Sequence, residues 1–98
     1  MTNNFIFPKR IHFQDVSDYV EKFNTIKNYE RVIFDLSETE EIHSSFVGFL
    51  INSKDFIQKR NGSILLILSN TTEKILKMLN LLSYFSDNIN AKILLKSA

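Results

Sequence analysis

Apolar residues fall along this chain in two patterns, short continuous runs and longer stretches with helical spacing. Two runs, at residues 31–36 (RVIFDL) and 63–68 (SILLIL), are strongly apolar and lack the alternation of a half-exposed strand. Such runs are typical of strands covered on both faces, as in a parallel sheet. Shorter runs at residues 5–8 and 10–13 flank Pro8. Because proline donates no hydrogen bond to a sheet ladder, this region is predicted to lie at a sheet edge or a bend.

Two longer stretches repeat apolar residues at helical spacing, which predicts amphipathic helices. The first extends from about residue 15 to residue 27, and Asp15 is its predicted N-cap. The second covers residues 44–60 and is predicted to stop at the Asn61-Gly62 pair, where glycine is free to take the left-handed conformation.

The last part of the chain predicts a third helix and a final short element. Residues 69–82 begin with capping residues, and Asn70 with Glu73 has the spacing of a capping box. Residues 90–98 (NAKILLKSA) show an alternation that predicts an edge strand, with a helical turn as the alternative.

Two apolar strands joined by a long helix form a β-α-β unit, which is nearly always a right-handed crossover. The order of elements predicts an α/β fold, a small mixed and mostly parallel sheet with helices packed on it, in one domain covering residues 1–98. Function in such sheets tends to lie at the carboxyl ends of the strands. The candidate functional region is therefore the segment at residues 37–45.

Composition narrows the possible functions. The net charge of +1 gives no electrostatic footprint for nucleic acid or an anionic membrane. The chain has no cysteine, its two histidines, His12 and His43, are far apart in sequence, and its two glycines form no phosphate-binding loop. We expect no metal and no cofactor. The longest apolar run, residues 64–68, is far shorter than the ~20 residues of a membrane span, and no signal peptide is recognisable, so a cytoplasmic protein without membrane insertion is expected.

The most distinctive local sequence is EIHSSFVGFL, residues 41–50, in which His43 precedes Ser44 and Ser45. Helix capping alone explains the two serines, since serine is a favoured N-cap. A hydrolase triad of Asp35, His43 and Ser45 needs a base within about 3 Å of the nucleophile and an acid behind the base. Neighbours at a helix start rarely point at one another in that way, and no G-x-S-x-G elbow is present. The sequence therefore predicts a protein that is not an enzyme.

The order of these segments resembles the STAS domain, a family named for sulfate transporters and anti-sigma factor antagonists. Its pattern is an apolar strand ending in Asp-Leu-Ser, a loop, Ile-Asp-Ser-Ser-Gly-Leu-Gly, a helix, an Asn-Gly or Gly-Gly turn, another apolar strand and a Leu-rich helix. The resemblance covers residues 31–85 and keeps its register throughout. The matching positions here are Asp35, Leu36, Ser37, Ile42, Ser44, Ser45, Gly48, Leu50, Asn61, Gly62, Leu79, Leu82 and Phe85, with the apolar runs 32–34 and 64–68.

The resemblance implies a regulatory function. In bacterial anti-sigma factor antagonists, the second serine of the motif is phosphorylated by a partner kinase that is itself an anti-sigma factor. The unphosphorylated form binds this partner and frees the sigma factor. By position this role falls on Ser45, and the place of Ser44 is structural. The implied partner is an ATP-binding anti-sigma kinase of the histidine-kinase-like ATPase class. The implied partner-binding residues are Asp35, His43, Ser44, Phe46 and Gly48.

This chain departs from the family pattern at two positions beside Ser45. The family's aspartate is His43 here, and the glycine after the phosphorylated serine is Phe46. An acid suits a helix N-terminus, whereas a protonated histidine does not. A glycine at this position leaves room for a partner's backbone to approach. The Phe46 side chain either fills that room or, if it is exposed, serves as an apolar anchor for the partner. Three acidic residues, Glu38, Glu40 and Glu41, would add repulsion to a phosphate. The alternative function is a constitutive STAS subunit that binds an ABC-transporter ATPase without phosphorylation.

Overall fold

The computed structural model describes residues 2–85 of the chain. The elements, in chain order, are β1 (Thr2–Ile6), β2 (Arg10–Ile11), α1 (Phe13–Asn24), β3 (Arg31–Leu36), β4 (Glu41–Ile42), α2 (Ser44–Lys59), β5 (Ser63–Leu68) and α3 (Asn70–Met78). The expectation for residues 90–98 lies outside the described part. None of the helices within residues 2–85 is long and apolar enough to cross a bilayer.

The strands form one main sheet and one small ladder. The main sheet has the order β1-β3-β5, with Phe5 beside Phe34 and Phe34 beside Leu66. The small ladder pairs β2 with β4, with Ile11 beside Ile42. All strand pairs within residues 2–85 are parallel. The predicted α/β architecture, a mostly parallel sheet with helices packed on it, is confirmed.

The core lies between the main sheet and the first two helices. One face of the sheet carries the buried side chains of Phe5, Val32, Phe34, Leu36, Ile64, Leu66 and Leu68. Helices α1 and α2 cover this face through Phe23 and Phe49, whose ring centroids lie 6.1 Å and 5.6 Å from that of Phe34. On the opposite face Ile33 and Leu65 are only half-buried. The strands were predicted to be covered on both faces, but in the described sheet only one face is fully buried.

Phe46 belongs to this core and is not an exposed anchor. Its side chain is 0% exposed, and its ring centroid lies 5.0 Å from Phe7 and 5.6 Å from Phe49. Aromatic pairs at such separations contribute about 0.5–1.5 kcal/mol beyond the area that they bury. The expectation that Phe46 serves as a surface contact is thus corrected, because its ring ties the first turn of α2 to the sheet.

Helix α1 begins earlier than the sequence pattern predicted. Its N-cap is His12 and its first residue is Phe13, so Asp15 is not the N-cap. Asp15 lies in the first turn, where its carboxylate accepts a hydrogen bond of 2.9 Å from the backbone N–H of His12. An acid at this third position satisfies a free amide and favours the positive end of the helix dipole. His12 therefore ends an extended segment and does not lie within a strand.

Helices α2 and α3 end in the same way, on an asparagine in the left-handed conformation. Asn61 has φ 58° and Asn80 has φ 59°. After α2, the N–H of Gly62 donates to the Ile57 carbonyl at 3.0 Å, and the N–H of Asn61 donates to the Gln58 carbonyl at 3.1 Å. This pair of bonds is a Schellman motif.

Three expectations about where helices begin and end are corrected. The left-handed residue after α2 is Asn61, and Gly62 is small for another reason: a Cβ there would lie 2.0 Å from the carbonyl oxygen of Tyr29. Helix α3 ends at Met78, before the predicted residue 82, because Asn80 turns the chain. Its N-cap is Ser69 and not Asn70; the Ser69 hydroxyl accepts from the N–H of Thr72 at 3.1 Å.

Candidate functional site

The loop that follows the central strand is held in place by the buried side chain of Thr39. This residue is 0% exposed, and its hydroxyl donates to the carbonyl oxygen of Pro8 at 2.8 Å. Its own carbonyl oxygen accepts a hydrogen bond of 2.6 Å from the hydroxyl of Ser69. The loop is therefore fastened both to the connection between β1 and β2 and to the start of α3.

The same loop is also bound along its backbone to the segment before β2. The N–H groups of Glu40 and Glu41 both donate to the carbonyl oxygen of Lys9, at 2.8 Å and 3.1 Å. Exposed ion pairs join Lys9 to Glu40 at 3.4 Å and Arg10 to Glu41 at 3.3 Å. Such pairs contribute about 0–1 kcal/mol each. They also partly offset the acidic charge that the sequence placed near Ser45.

The small ladder brings the starts of α1 and α2 side by side. Ile11 pairs with Ile42, and the N–H of His43 donates to the carbonyl oxygen of Ile11 at 3.0 Å. The next residues, His12 and His43, are the N-caps of the two helices. Both histidines line one open groove of about 560 Å³, together with Phe13. Nothing in the sequence indicated that these two histidines lie together at this corner, which is formed by β2, β4 and the first residues of α1 and α2.

Metal binding at this corner is not supported by its side chains. Within residues 2–85, no group of three or more histidine, cysteine or carboxylate side chains is arranged to hold a metal ion. The groups at this corner that can bind or transfer protons include its serine hydroxyls and its imidazoles.

The N-cap of α2 is His43, and its imidazole contacts Ser45 twice. The Nδ1 atom accepts a hydrogen bond of 3.1 Å from the backbone N–H of Ser45, and it lies 2.8 Å from the Ser45 hydroxyl oxygen. An amide N–H can only donate, so Nδ1 carries a lone pair and no proton in this arrangement. The Ser45 hydroxyl is consequently the donor in the second contact. The expectation that a serine caps the helix is corrected, since His43 does so.

Phe13 is a member of this corner that the sequence did not identify as a site residue. Its ring centroid lies 5.2 Å from that of His43, and its side chain is 66% exposed. The sequence pattern had placed Phe13 in the short apolar run at residues 10–13, whereas it is the first residue of α1. The acid at Asp15, three residues after His12, was the available sign that a helix starts at Phe13.

Three other predicted site residues take different places. Ser44 is exposed on the first turn of α2. Gly48 is also exposed, and a Cβ built there meets no atom within 4 Å. Asp35 is half-buried, and its carboxylate accepts from the N–H of Ser37 at 3.0 Å, as expected for a residue supporting the loop.

The geometry brings together two of the three residues weighed as a triad. His43 and Ser45 do point at each other, so the expectation that neighbours at a helix start would not was wrong. Asp35 alternates with the buried side chains of Phe34 and Leu36, and its carboxylate binds the loop backbone instead of the imidazole. The corner thus holds a serine and a base without Asp35 as the orienting acid.

Neither a protein-family model nor a curated protein sequence matches this chain. The residues of the corner are therefore the basis for assigning a function to this chain.

Proposed function

We propose that this chain is a non-enzymatic regulatory module that binds a partner protein, of the kind represented by bacterial anti-sigma factor antagonists, and that Ser45 is its phosphorylation site. One observation carries the proposal. Ser45 is a partly exposed serine on the first turn of α2, reached from the carboxyl end of the central strand through a firmly held loop. Its position agrees with the serine that the STAS-like pattern assigns to phosphorylation.

The physical chemistry of this position suits a switch. A phosphate adds about −1.5 to −2 charges, and a helix N-terminus favours an anion through its free amides and dipole. The fold is therefore expected to tolerate the modification. The change falls on the exposed surface near Ser44 and Gly48, where a partner would sense it.

The proposed partner is an ATP-binding anti-sigma factor with serine kinase activity, and the proposed location is the cytoplasm. Partner contacts are proposed at His43, Ser44 and Gly48, which are exposed, with Asp35 supporting the loop. Phe46 is buried, and Phe13 replaces it in the proposal as the exposed aromatic residue of the corner.

The test is phosphorylation and binding with the anti-sigma kinases of the source organism. The chain is incubated with each kinase and ATP, and the modified residue is located by mass spectrometry. We expect phosphate on Ser45, none in the Ser45→Ala variant, and weaker kinase binding by Ser45→Asp than by the matched control Ser44→Asp. The absence of phosphate on Ser45, together with unchanged binding by Ser45→Asp, would contradict the proposal.

A constitutive subunit is the second candidate, because the start of α2 is already capped without any modification of Ser45. The Ser45 hydroxyl already donates to an imidazole, an arrangement that stabilises the helix start without any modification. In that case the partner would be an ABC-transporter ATPase. Co-purification of such an ATPase with wild type and with Ser45→Ala in equal amounts would support this candidate over the first.

A further inference from the structure

The Ser45 hydroxyl is aimed at a base. The backbone N–H of Ser45 fixes His43 Nδ1 as an acceptor, and the hydroxyl oxygen lies 2.8 Å from that same atom. This distance is within the range expected between a nucleophile and its base. The capping role of His43 requires only the amide contact, so the hydroxyl contact is additional.

The other start of a helix at this corner serves as an internal comparison. His12 is the N-cap residue of α1 as His43 is of α2, but the His12 side chain makes no capping hydrogen bond, and the residue two positions later is Gln14, whereas it is Ser45 in α2. Of these two helix starts, only that of α2 therefore combines a capping imidazole with a hydroxyl two residues later. Ser44 precedes Ser45 directly and has no hydrogen bond to the imidazole among those of residues 2–85.

We propose that His43 is the proton acceptor for Ser45 when this serine is phosphorylated, so that the substrate chain supplies its own base. This inference deepens the proposed function and rests on it. In the step, Ser45 Oγ forms a bond to the γ-phosphorus of the ATP held by the partner kinase. The bond between that phosphorus and the bridging oxygen breaks, and ADP leaves with the electron pair. The hydroxyl proton moves to His43 Nδ1 and then to solvent.

This role also explains why histidine stands where the resembling family has aspartate. Both residues can cap a helix, but a neutral imidazole is the stronger proton acceptor near neutral pH. General base catalysis by a positioned histidine contributes about 10²–10⁴-fold in rate. The exposed ring of Phe13 lies beside the imidazole, with the two ring centroids 5.2 Å apart.

The experiment uses a phosphorus electrophile that needs no kinase, an alkyl fluorophosphonate, on the full chain. Attack by Ser45 Oγ forms an O–P bond, breaks the P–F bond and releases fluoride, while the proton again goes to His43. The rate of modification at each serine is followed by mass spectrometry. The variants are His43→Asn, which keeps a favoured cap but is no base, and His43→Gln as a second base-free side chain. Ser44 in the same molecule is the matched control.

We expect Ser45 to react at least about tenfold faster than Ser44, and to lose most of this advantage in both variants. Equal rates at Ser44 and Ser45, or a Ser45 rate unaffected by both variants, overturn the inference.

The two proposals fail separately. Kinase phosphorylation of Ser45 combined with a probe reaction that does not depend on His43 overturns the inference alone. A probe reaction that does depend on His43, without phosphorylation by any kinase tested, overturns the proposed function and leaves only the finding that His43 activates the Ser45 hydroxyl.

Discussion

The hydroxyl of Thr39 donates to the carbonyl oxygen of Pro8 at 2.8 Å, across 31 positions of sequence. This bond joins the loop after β3 to the connection between β1 and β2. Thr39 has no exposed surface, whereas Pro8 is an exposed residue. A hydrogen bond contributes about 0.5–1.5 kcal/mol to stability, so this bond supports both the fold and the site.

Replacing Thr39 with valine keeps the shape and removes the hydroxyl. We expect Thr39→Val to lower the free energy of unfolding by about 0.5–1.5 kcal/mol, because the Pro8 carbonyl loses this donor. Thr39→Ser is the control, since it keeps the hydroxyl and should be less harmful. Urea denaturation measures both variants. Equal loss in the two would show that the methyl group matters and the hydrogen bond does not.

The end of α2 offers a matched pair of substitutions. Gly62→Ala would bring a Cβ to 2.0 Å from the Tyr29 carbonyl oxygen, so the backbone must move. A loss of about 1–3 kcal/mol in unfolding free energy is expected. Asn61→Gly should change stability by less than about 0.5 kcal/mol, because glycine readily adopts the left-handed conformation that Asn61 has here. Thermal denaturation that ranked Asn61→Gly as the worse variant would contradict this account.

Replacing His43 with an acid is expected to strengthen the N-cap of α2. We expect His43→Asp to raise the free energy of unfolding by about 0.3–1 kcal/mol at neutral pH, because a carboxylate interacts favourably with the amides and dipole of the helix start. His43→Ala should lower it by about 0.5–2 kcal/mol through loss of the cap. The gain from aspartate should shrink in high salt. Denaturation at two salt concentrations tests this, and a gain that salt leaves unchanged would exclude the electrostatic cause.

Gly48 separates folding from partner binding. A methyl group at this position would meet no atom within 4 Å, and Gly48 lies inside α2. Gly48→Ala should therefore stabilise the chain by about 0.5–1 kcal/mol. If the partner's backbone rests against Gly48, the same variant should bind the partner more weakly. Denaturation and binding are measured on one preparation, with Gln58→Ala, also exposed on α2, as the control.

Tyr19 predicts how stability changes at alkaline pH. Burial, together with the nearby carboxylates of Asp15 and Asp18, raises the pKa of Tyr19 above 10.0. The unfolded chain then releases this proton before the folded chain does, so the stabilisation is complete below about pH 10 and is lost as pH rises through the folded pKa. The stability of Tyr19→Phe should fall less steeply in this range. Parallel slopes for the two proteins between pH 9 and pH 11 would contradict the prediction.

The continuous apolar runs and the helical spacing of this sequence predicted the architecture well, because both patterns reflect which side chains are buried. Residues 31–36 and 63–68 form β3 and β5, and residues 44–60 form α2 to within one residue. The ladder of β2 and β4 was beyond such reasoning, since each strand has only two residues and depends on contacts distant in sequence. The N-cap positions of His12 and His43 were not predicted either, because histidine has no strong preference for N-caps.

Phe46 could have been placed correctly from its spacing. It lies three residues before Phe49 and four before Leu50, on the apolar face of α2, and all three side chains are buried. The resemblance suggested an exposed position, because the corresponding family residue is glycine. Local periodicity was the better guide here, since it reflects the physical environment of this chain's own residues.

The pairing of Ile11 with Ile42 also has a consequence for the order of folding. The two residues are 31 positions apart, and the ladder between them is only two residues long. Closing a loop of that length has an entropic cost that so short a ladder does not repay by itself. We therefore expect the corner to assemble after β1 and β3 have aligned and the aromatic core has formed. A partner that recognises both helix starts at once distinguishes finished molecules from incompletely folded chains, without any dedicated signal for quality.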